Sequence, residues 1–286
     1  MTGAAPDWLE ARAPFDDAAR QQSLPLLESA AHTLLESTEP GDTVTVVDLG
    51  AGTGKSAAWF RRHLTPLLPD RQLAWHLVDG HAPSLQLAGQ AFPDAGHLLS
   101  MMSDLPAALG EHLEQTSGRP APGSLLLTCS AVLDVLTQAD VDAVLNTLTR
   151  YRGLGLFLLS ITEDWHLDPA DPRDEQLARA FADHQRWGEK LGAHGGQTMV
   201  QSARERGIAV ETSDSPWRLR APQDAEFIQR FLTERVNAVV EAEPGLQREA
   251  ADWLELRTRQ AGEDGGQGLS VTVDHLDVLI NAAHGV

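Results

Sequence analysis

Residues 48–56 have the sequence DLGAGTGKS, in which three glycines alternate with other residues directly after an apolar run. The preceding TVTVVDL at 43–49 is β-branched and apolar and predicts a buried strand, whereas KSAAWFRRHL at 55–64 predicts a helix. A glycine turn between a strand and a helix commonly brings a nucleotide-like ligand to the carboxyl edge of a parallel sheet. The kind of ligand depends on the residues around the glycines.

Two phosphate-binding motifs fit this turn poorly. The loop of nucleotide triphosphatases needs a glycine five residues before the Gly-Lys-Ser segment, and Leu49 occupies that position. Asp48 would also repel phosphates beside such a loop. The dinucleotide motif needs a third glycine where Lys55 stands. The triphosphate is therefore excluded, while a nicotinamide-dependent oxidoreductase stays open as a weaker alternative.

Composition limits the possible partners. The chain has 286 residues, 42% of them hydrophobic and 22% charged, which is typical of a folded globular protein. Its 41 acidic residues outnumber 22 basic ones and give a net charge of −19, which argues against a nucleic-acid partner. The longest strongly apolar run is too short to span a bilayer, and the single cysteine allows no internal disulfide. We expect a cytoplasmic monomer or homodimer without a membrane segment.

Strand and helix patterns alternate along the rest of the chain. This alternation predicts an α/β fold with a doubly wound, mostly parallel seven-stranded sheet. The predicted strands are 43–49, 73–79, 97–105, 124–130, 154–161, 208–219 and 269–280.

We expect one main domain with two additions. Residues 1–40 predict an N-terminal helical cap, interrupted at Pro25, and residues 41–286 form the main domain. A helical insertion at 162–207, after the fifth strand, is predicted to cover a substrate. It begins with an acidic, proline-rich stretch that predicts a solvated loop.

The string VVDLGAGTG resembles the first motif of class I S-adenosylmethionine-dependent methyltransferases. The resemblance implies a Rossmann-like methyltransferase fold and S-adenosylmethionine as the cofactor. It places Asp48 near the ammonium of the ligand, Asp79 at the ribose hydroxyls and residues 103–105 at the adenine. Asp79 and Asp104 could equally be ordinary caps at strand ends. The cofactor residues implied are Asp48, Gly50, Ala51, Gly52, Thr53, Gly54, Asp79, Gly80, Ser103, Asp104, Leu105, Cys129, Ser130 and, from the N-terminal segment RAPFDDAAR, Arg20.

Later stretches, among them SAVLDVL at 130–136 and FADHQRWGEKLG at 181–192, are similar to a group of actinobacterial small-molecule methyltransferases of unassigned substrate. This resemblance suggests His184 as a base or orienting group, with Gln185 and Lys190 at the substrate. Where many relatives have an aspartate, this chain has Trp187.

Several other side chains have both a functional and an ordinary explanation. Asp134 could accept a proton from the substrate or cap a helix, and His184 could lie on a helix surface. Trp165 and Trp217 could line the substrate site or simply pack in the core. Cys129 follows an apolar strand and is expected to pack.

One stretch of the sequence has the spacing of a metal site. Asp164, His166 and Asp168 alternate, a spacing that would permit metal binding in an extended stretch. The nearby prolines favour a solvated loop instead. We expect no obligatory metal.

These inferences converge on methyl transfer to a small molecule by in-line displacement. Transfer to oxygen or nitrogen is expected ahead of transfer to carbon. The alternatives are an NAD(P)-dependent oxidoreductase on a similar sheet, and a methyltransferase-like protein that binds the cofactor without turnover.

Overall fold

A computed structural model describes residues 6–185, 189–262 and 268–283. Within these ranges eight strands form one sheet in the order β3-β2-β1-β4-β5-β8-β6, and β7 pairs with β8 beyond β6. The strands are β1 Thr43–Leu49, β2 Gln72–Asp79, β3 Gly96–Leu99, β4 Leu125–Ser130, β5 Leu154–Asp168, β6 Ala209–Asp214, β7 Trp217–Arg220 and β8 Ser270–Asn281. The pairs among β1 to β5 are parallel, and only β8 runs against its neighbours. The predicted α/β, mostly parallel sheet is confirmed.

Helices cover both faces of the sheet, as a doubly wound fold requires. Along β1, Val44 and Val46 pack into one apolar cluster and Val47 and Leu49 into another on the opposite face. The helices are α1 Pro6–Gln22, α2 Leu24–Ser37, α3 Lys55–Leu64, α4 Ala82–Ala91, α5 Leu105–Thr116, α6 Gln138–Tyr151, α7 Asp174–Gln185, α8 Gly195–Glu205, α9 Ala225–Ala242 and α10 Gln247–Gly262. None of the helices in these ranges has the length and apolar character needed to cross a bilayer.

The predicted strand count of seven was wrong because one predicted strand is divided. Residues 208–219 form β6 and β7, which pair with different halves of β8. Between them Ser215 donates its backbone N–H to the carbonyl of His275, and Pro216, which has no N–H to donate, follows. The predicted strand at 97–105 was also too long. It ends at Leu99, and α5 begins at Leu105.

Strand β5 is longer than predicted and replaces the expected solvated loop. It continues to Asp168 and pairs with β8 across two register shifts, between Phe157 and Ser160 and between Ile161 and Trp165. At the first shift Leu159 has a φ of 56°, and its N–H donates to the buried carboxylate of Asp277 at 2.7 Å. The long β5–β8 pair extends the sheet beyond the ends of β1 and β4 and forms a wall there.

The predicted cover at 162–207 divides between two environments. Helix α7 packs against α9 beside the extended sheet, whereas α8 buries Met199 and Ala203 in the apolar cluster on one face of the sheet. Among the described residues of this segment, α7, the end of β5 and Ala193 line the cavity described below, and α8 does not. At the N-terminus, the expected helical cap consists of α1 and α2, with Pro25 in the first turn of α2.

Candidate cofactor and substrate site

The glycine turn follows β1 and leads into α3. Gly50, Gly52 and Gly54 have φ values of 64°, 54° and 87°, all in the left-handed region that glycine adopts without a steric cost. The turn is tied to β2 because Ala51 donates its N–H to the carbonyl of Val78 at 3.0 Å. Three left-handed residues in five make a compact turn at the carboxyl edge of the sheet.

The three glycines have different surroundings. A Cβ on Gly50 would lie 2.7 Å from Val132 Cγ2, and one on Gly54 would lie 3.1 Å from the Phe92 ring. A Cβ on Gly52 would meet no protein atom within 4 Å. Gly50 and Gly54 are thus required for packing of the turn, while Gly52 faces open space in which a ligand could approach the backbone.

Asp48 supports the turn from beneath and does not face that space. Its two carboxylate oxygens each accept a hydroxyl hydrogen bond of 2.7 Å, one from Ser56 and one from Thr128. The residue is fully buried, and burial raises its pKa from 3.8 to about 6. Because α3 and β4 enclose the carboxylate, this arrangement assigns Asp48 to support of the turn, and its contact with the ammonium of a ligand stays a prediction.

The raised pKa of Asp48 gives a testable pH dependence. Between pH 3.8 and about 6 the folded chain retains a proton on Asp48 that the unfolded chain has lost, so ionisation lowers the free energy of unfolding as pH rises. A shift of about 2 pKa units corresponds to roughly 3 kcal/mol. Asp48→Asn removes this titration, so we expect its stability relative to the wild type to rise by about 2.4 kcal/mol from pH 4 to pH 7. Urea unfolding followed by tryptophan fluorescence measures the difference, and a difference that is constant with pH would contradict the assignment.

Asp79 joins the glycine turn to the end of β2. Its Oδ2 accepts the N–H of Gly52 at 2.7 Å and its Oδ1 accepts the N–H of His81 at 2.7 Å. A carboxylate has further lone pairs, so these bonds orient Asp79 without exhausting its capacity to accept hydroxyl groups. Next to it, Gly80 allows the Met101 thioether to approach closely, and Met101 stays 44% exposed. The sequence interpretation missed Met101, whose only signal was its place just after β3.

The remaining cofactor candidates separate by accessibility. Gly50, Gly52, Thr53, Asp79, Gly80, Ser103, Asp104 and Ser130 keep accessible surface along the carboxyl edge of the sheet. Ala51 and Gly54 are buried within the turn. The side chains of Leu105 and Cys129 pack in the core, so their predicted ligand contacts would have to come from the backbone. Packing of Cys129 is confirmed, and burial raises the pKa of its thiol well above the usual value.

Arg20 connects the N-terminal helix to this edge. Its Nε and Nη2 atoms donate to Ser130 Oγ at 3.3 and 3.2 Å, and its Nη1 donates to Asp17 at 2.9 Å. Arg20 is 5% exposed, so the bonds bury a charged group against the end of β4. Helix α1 is therefore attached to the carboxyl edge of the sheet through Arg20.

A cavity of about 260 Å³ lies beyond the carboxyl end of β4 and beside the extended part of β5. Its walls come from α1, the turn after β4, the extended parts of β5, β7 and β8, and helices α7 and α9. Ala131 and Asp134 line it on the side of β4. Because the residue before them, Ser130, belongs to the cofactor candidates, the cavity adjoins the carboxyl edge of the sheet that carries the glycine turn.

Most predicted substrate residues meet at this cavity. Trp165, Trp217, Gln185 and Asp134 all line it. Burial raises the pKa of Asp134 above its usual range, against the opposing charges of Arg12 and Lys190. Lys190 does not line the cavity but lies close enough to act on Asp134. Trp187 lies outside the described residues.

His184 does not line the cavity. It lies on α7 facing α9, where its Nε2 is 3.5 Å from Oε2 of Glu241. Its role as the base stays a prediction that the cavity lining does not support, because the amphipathic helix turns His184 away from Gln185, its immediate neighbour, which does line the cavity.

His275 is the histidine that faces the cavity. It comes from β8, and its Nδ1 donates to the carbonyl of Ser215 at 3.0 Å, which leaves Nε2 as the acceptor nitrogen. Burial lowers its pKa to about 4, so the ring is neutral at neutral pH. The sequence signal was the string VDHLDVLI, in which alternation along a strand places His275 and Asp277 on one side. His275 was not among the residues predicted from the sequence.

Comparisons with known proteins give a likeness of fold. No family model matches the chain, and no curated protein matches it in sequence. Among solved structures, a protein from Anaeromyxobacter dehalogenans described provisionally as a type II methyltransferase is 15% identical, with a TM-score of 0.48 over 89% of this chain and 94% of that one. Geranyl diphosphate methyltransferase in complex with SAM is 10% identical, with a TM-score of 0.44 over 92% and 86%. The plantazolicin methyltransferase BpumL in complex with SAH is 10% identical, with a TM-score of 0.43 over 97% and 91%. At these values the activity of this chain has to be argued from its own residues.

Proposed function

We propose that the chain transfers the methyl group of S-adenosylmethionine to a small-molecule acceptor, with oxygen or nitrogen favoured over carbon as the methylated atom. The observation that carries the proposal is the turn at Gly52, whose backbone faces open space and is bonded to Asp79, beside an enclosed aromatic cavity. A donor edge and an acceptor cavity that adjoin at the end of β4 are what group transfer between two ligands requires.

The accessible residues at the edge fit the donor. Asp79 has free lone pairs for the ribose hydroxyls, and Gly52 allows the ligand to pass close to the main chain. Ser103 and Asp104 offer polar atoms for the adenine, with Met101 as an apolar contact beside them. Arg20 and Ser130 would bound the methionine end.

Bound S-adenosylmethionine would supply an activated methyl group on its sulfonium. The chain then mainly has to orient the acceptor and exclude water. Helices α1, α7 and α9 supply walls of the cavity that would shield a bound acceptor from water. Asp134 and the Nε2 of His275 are the two groups that we propose accept a hydrogen bond or proton from the acceptor.

The oxidoreductase alternative is less well supported. Lys55 occupies the position of the third glycine and begins α3, with its Nζ 3.9 Å from Oε1 of Glu10. The side chain of Lys55 therefore occupies the place where a dinucleotide would have to approach the helix closely. No particular contact favours NAD over S-adenosylmethionine.

Calorimetric titration tests the proposal. We expect saturable binding of S-adenosylmethionine and S-adenosylhomocysteine, and no binding of NAD, NADP or ATP under the same conditions. Binding of a nucleotide alone would overturn the proposed cofactor. Binding of both sulfur ligands without any methyl transfer to a broad acceptor panel would favour a binding protein that does not turn over.

A further inference from the structure

One buried cation in the cavity has no anionic partner. Arg235 lies on α9, lines the cavity and is 8% exposed. Its Nη1 makes one long hydrogen bond of 3.4 Å, to the carbonyl of Phe231, and its buried Nε has no partner. Among the described residues no carboxylate forms an ion pair with it. Burial lowers its pKa well below the usual value, and the nearby charge of Glu234 offsets only part of this effect.

The surroundings of Arg235 are aromatic. The guanidinium carbon is 3.2 Å from the ring centre of Phe231, 4.8 Å from that of Phe181 and 5.8 Å from that of Trp165. Aromatic faces attract a cation but replace neither a carboxylate nor water. The group is therefore held in place, with its hydrogen-bonding capacity largely unused.

Arg257 shows how the same chain buries an arginine for structural reasons. It is fully buried, and its Nη2 donates to both carboxylate oxygens of Asp174 at 2.6 and 2.7 Å. Its Nη1 donates to the carbonyl of Pro169 and to the side chain of Gln260. Arg235 has no such set of acceptors, which argues against a purely structural role.

The other charged groups at the cavity do not neutralise Arg235. Glu234 also lines the cavity, and its charge opposes the lowering of the Arg235 pKa, but its Oε1 lies 3.5 Å from Nε of Arg230 and no ion pair joins it to Arg235. Arg12 is paired with Asp16 through two hydrogen bonds. Asp134 belongs to the opposite wall, on the turn after β4. An additional negative charge inside the cavity would therefore have to come from a ligand.

From this geometry we infer that the cavity binds a small aromatic carboxylic acid, with its carboxylate on Arg235 and its ring between Trp165, Phe181 and Trp217. A planar carboxylate matches a single guanidinium through two parallel hydrogen bonds. A phosphate would need more donors, and the other arginine among the described cavity residues is already paired. The cavity volume of about 260 Å³ is small and suits one ring system with a short side chain.

The inference rests on the proposed function, because it takes the cavity as the site of the methyl acceptor. Three probes that share a phenol ring and differ in their end group test it: 4-hydroxyphenylacetate, 4-hydroxyphenylacetamide and tyramine. Each is titrated calorimetrically into the full chain saturated with S-adenosylhomocysteine. We expect the acid to bind at least about tenfold more tightly than the amide or the amine, as a charge-assisted bidentate pair predicts.

Two variants locate the effect. In Arg235→Met, which keeps an unbranched side chain against the rings, the acid should bind no better than the amide, while amide binding is retained. In Arg179→Met, which removes an exposed arginine from the cavity-lining helix α7, the preference for the acid should persist. Arg235→Lys should keep part of the preference, since it retains charge without the fork.

Each outcome of these titrations either supports or overturns the inference. Equal or better binding of the amide or amine by the wild type, or a preference that survives in Arg235→Met, overturns the inference. Failure of all three probes to bind at millimolar concentration also overturns it for phenol-sized acids. The wild-type comparison stands even if Arg235→Met does not fold. If the acid binds through Arg235 but S-adenosylhomocysteine does not bind, the proposed function fails and the carboxylate site at Arg235 remains. If S-adenosylhomocysteine binds but binding of the acid does not depend on Arg235, only the carboxylate site is removed.

Discussion

Gly52→Ala should weaken the binding of S-adenosylhomocysteine by about a hundredfold, or roughly 2.7 kcal/mol. Gly52 faces open space, and its N–H is bonded to Asp79, so an added methyl group would project where the ligand is expected to pass. Its φ of 54° also disfavours alanine, at a cost to stability of about 1–2 kcal/mol. Calorimetric titration gives the affinity and urea unfolding gives the stability.

Gly41→Ala is the matched control for this substitution. Gly41 also has a positive φ, of 92°, and a Cβ there would meet no atom within 4 Å. It lies before β1, at the opposite edge of the sheet from Gly52. We expect a similar loss of stability and unchanged affinity. Wild-type affinity in Gly52→Ala, or an equal loss in both variants, would show that the turn does not approach the ligand.

Asp174→Ala should lower the free energy of unfolding by about 3–5 kcal/mol. Asp174 begins α7 and accepts two hydrogen bonds from the fully buried Arg257 and one of 2.7 Å from the indole of Trp253. Its removal leaves a buried guanidinium without a counter-charge, which costs more than the pair itself contributes. Because these bonds attach α7 to α10, the wall of the cavity should loosen as well.

Glu175→Ala provides the comparison one residue further along. Glu175 forms an exposed ion pair with Arg179 at 3.5 Å, so its loss should cost less than about 1 kcal/mol. The double variant Asp174→Ala with Arg257→Met removes both charges and should recover part of the lost stability. Urea unfolding at pH 7 measures all three. Equal costs for Asp174→Ala and Glu175→Ala would refute the argument.

Most of the fold could be predicted because its central strands are locally distinct. The runs that became β1, β2 and β4 are rich in apolar residues and mostly buried, as expected of strands covered on both faces. The extension of β5 from 162 to 168 could not be predicted in this way. It contains acidic residues, and it is a strand because β8, more than 100 residues later, supplies its hydrogen-bonding partners.

The parts of the candidate site that depend on backbone conformation were predictable from the sequence. The parts that depend on the direction of a side chain were less predictable. Glycine spacing identified the turn, and a strand-end acid identified Asp79. The direction of Asp48 depended on two hydroxyls, from Ser56 and Thr128, whose proximity is a tertiary feature. Arg235 was missed because an arginine on an amphipathic helix usually extends to water. Its burial follows from the aromatic side chains that α7 and β5 bring to it.

Because Cys129 is buried, the labelling rate of the single thiol of this chain can measure local opening of the structure. The thiol is 1% exposed at the end of β4, one residue before Ser130, and its raised pKa leaves almost no reactive thiolate at neutral pH. Alkylation can then proceed only through molecules in which β4 has transiently separated from its neighbours. The labelling rate reports the free energy of that opening without any engineered probe. A ligand that contacts both the glycine turn and β4 would lower the labelling rate of Cys129 in proportion to the occupancy of its site.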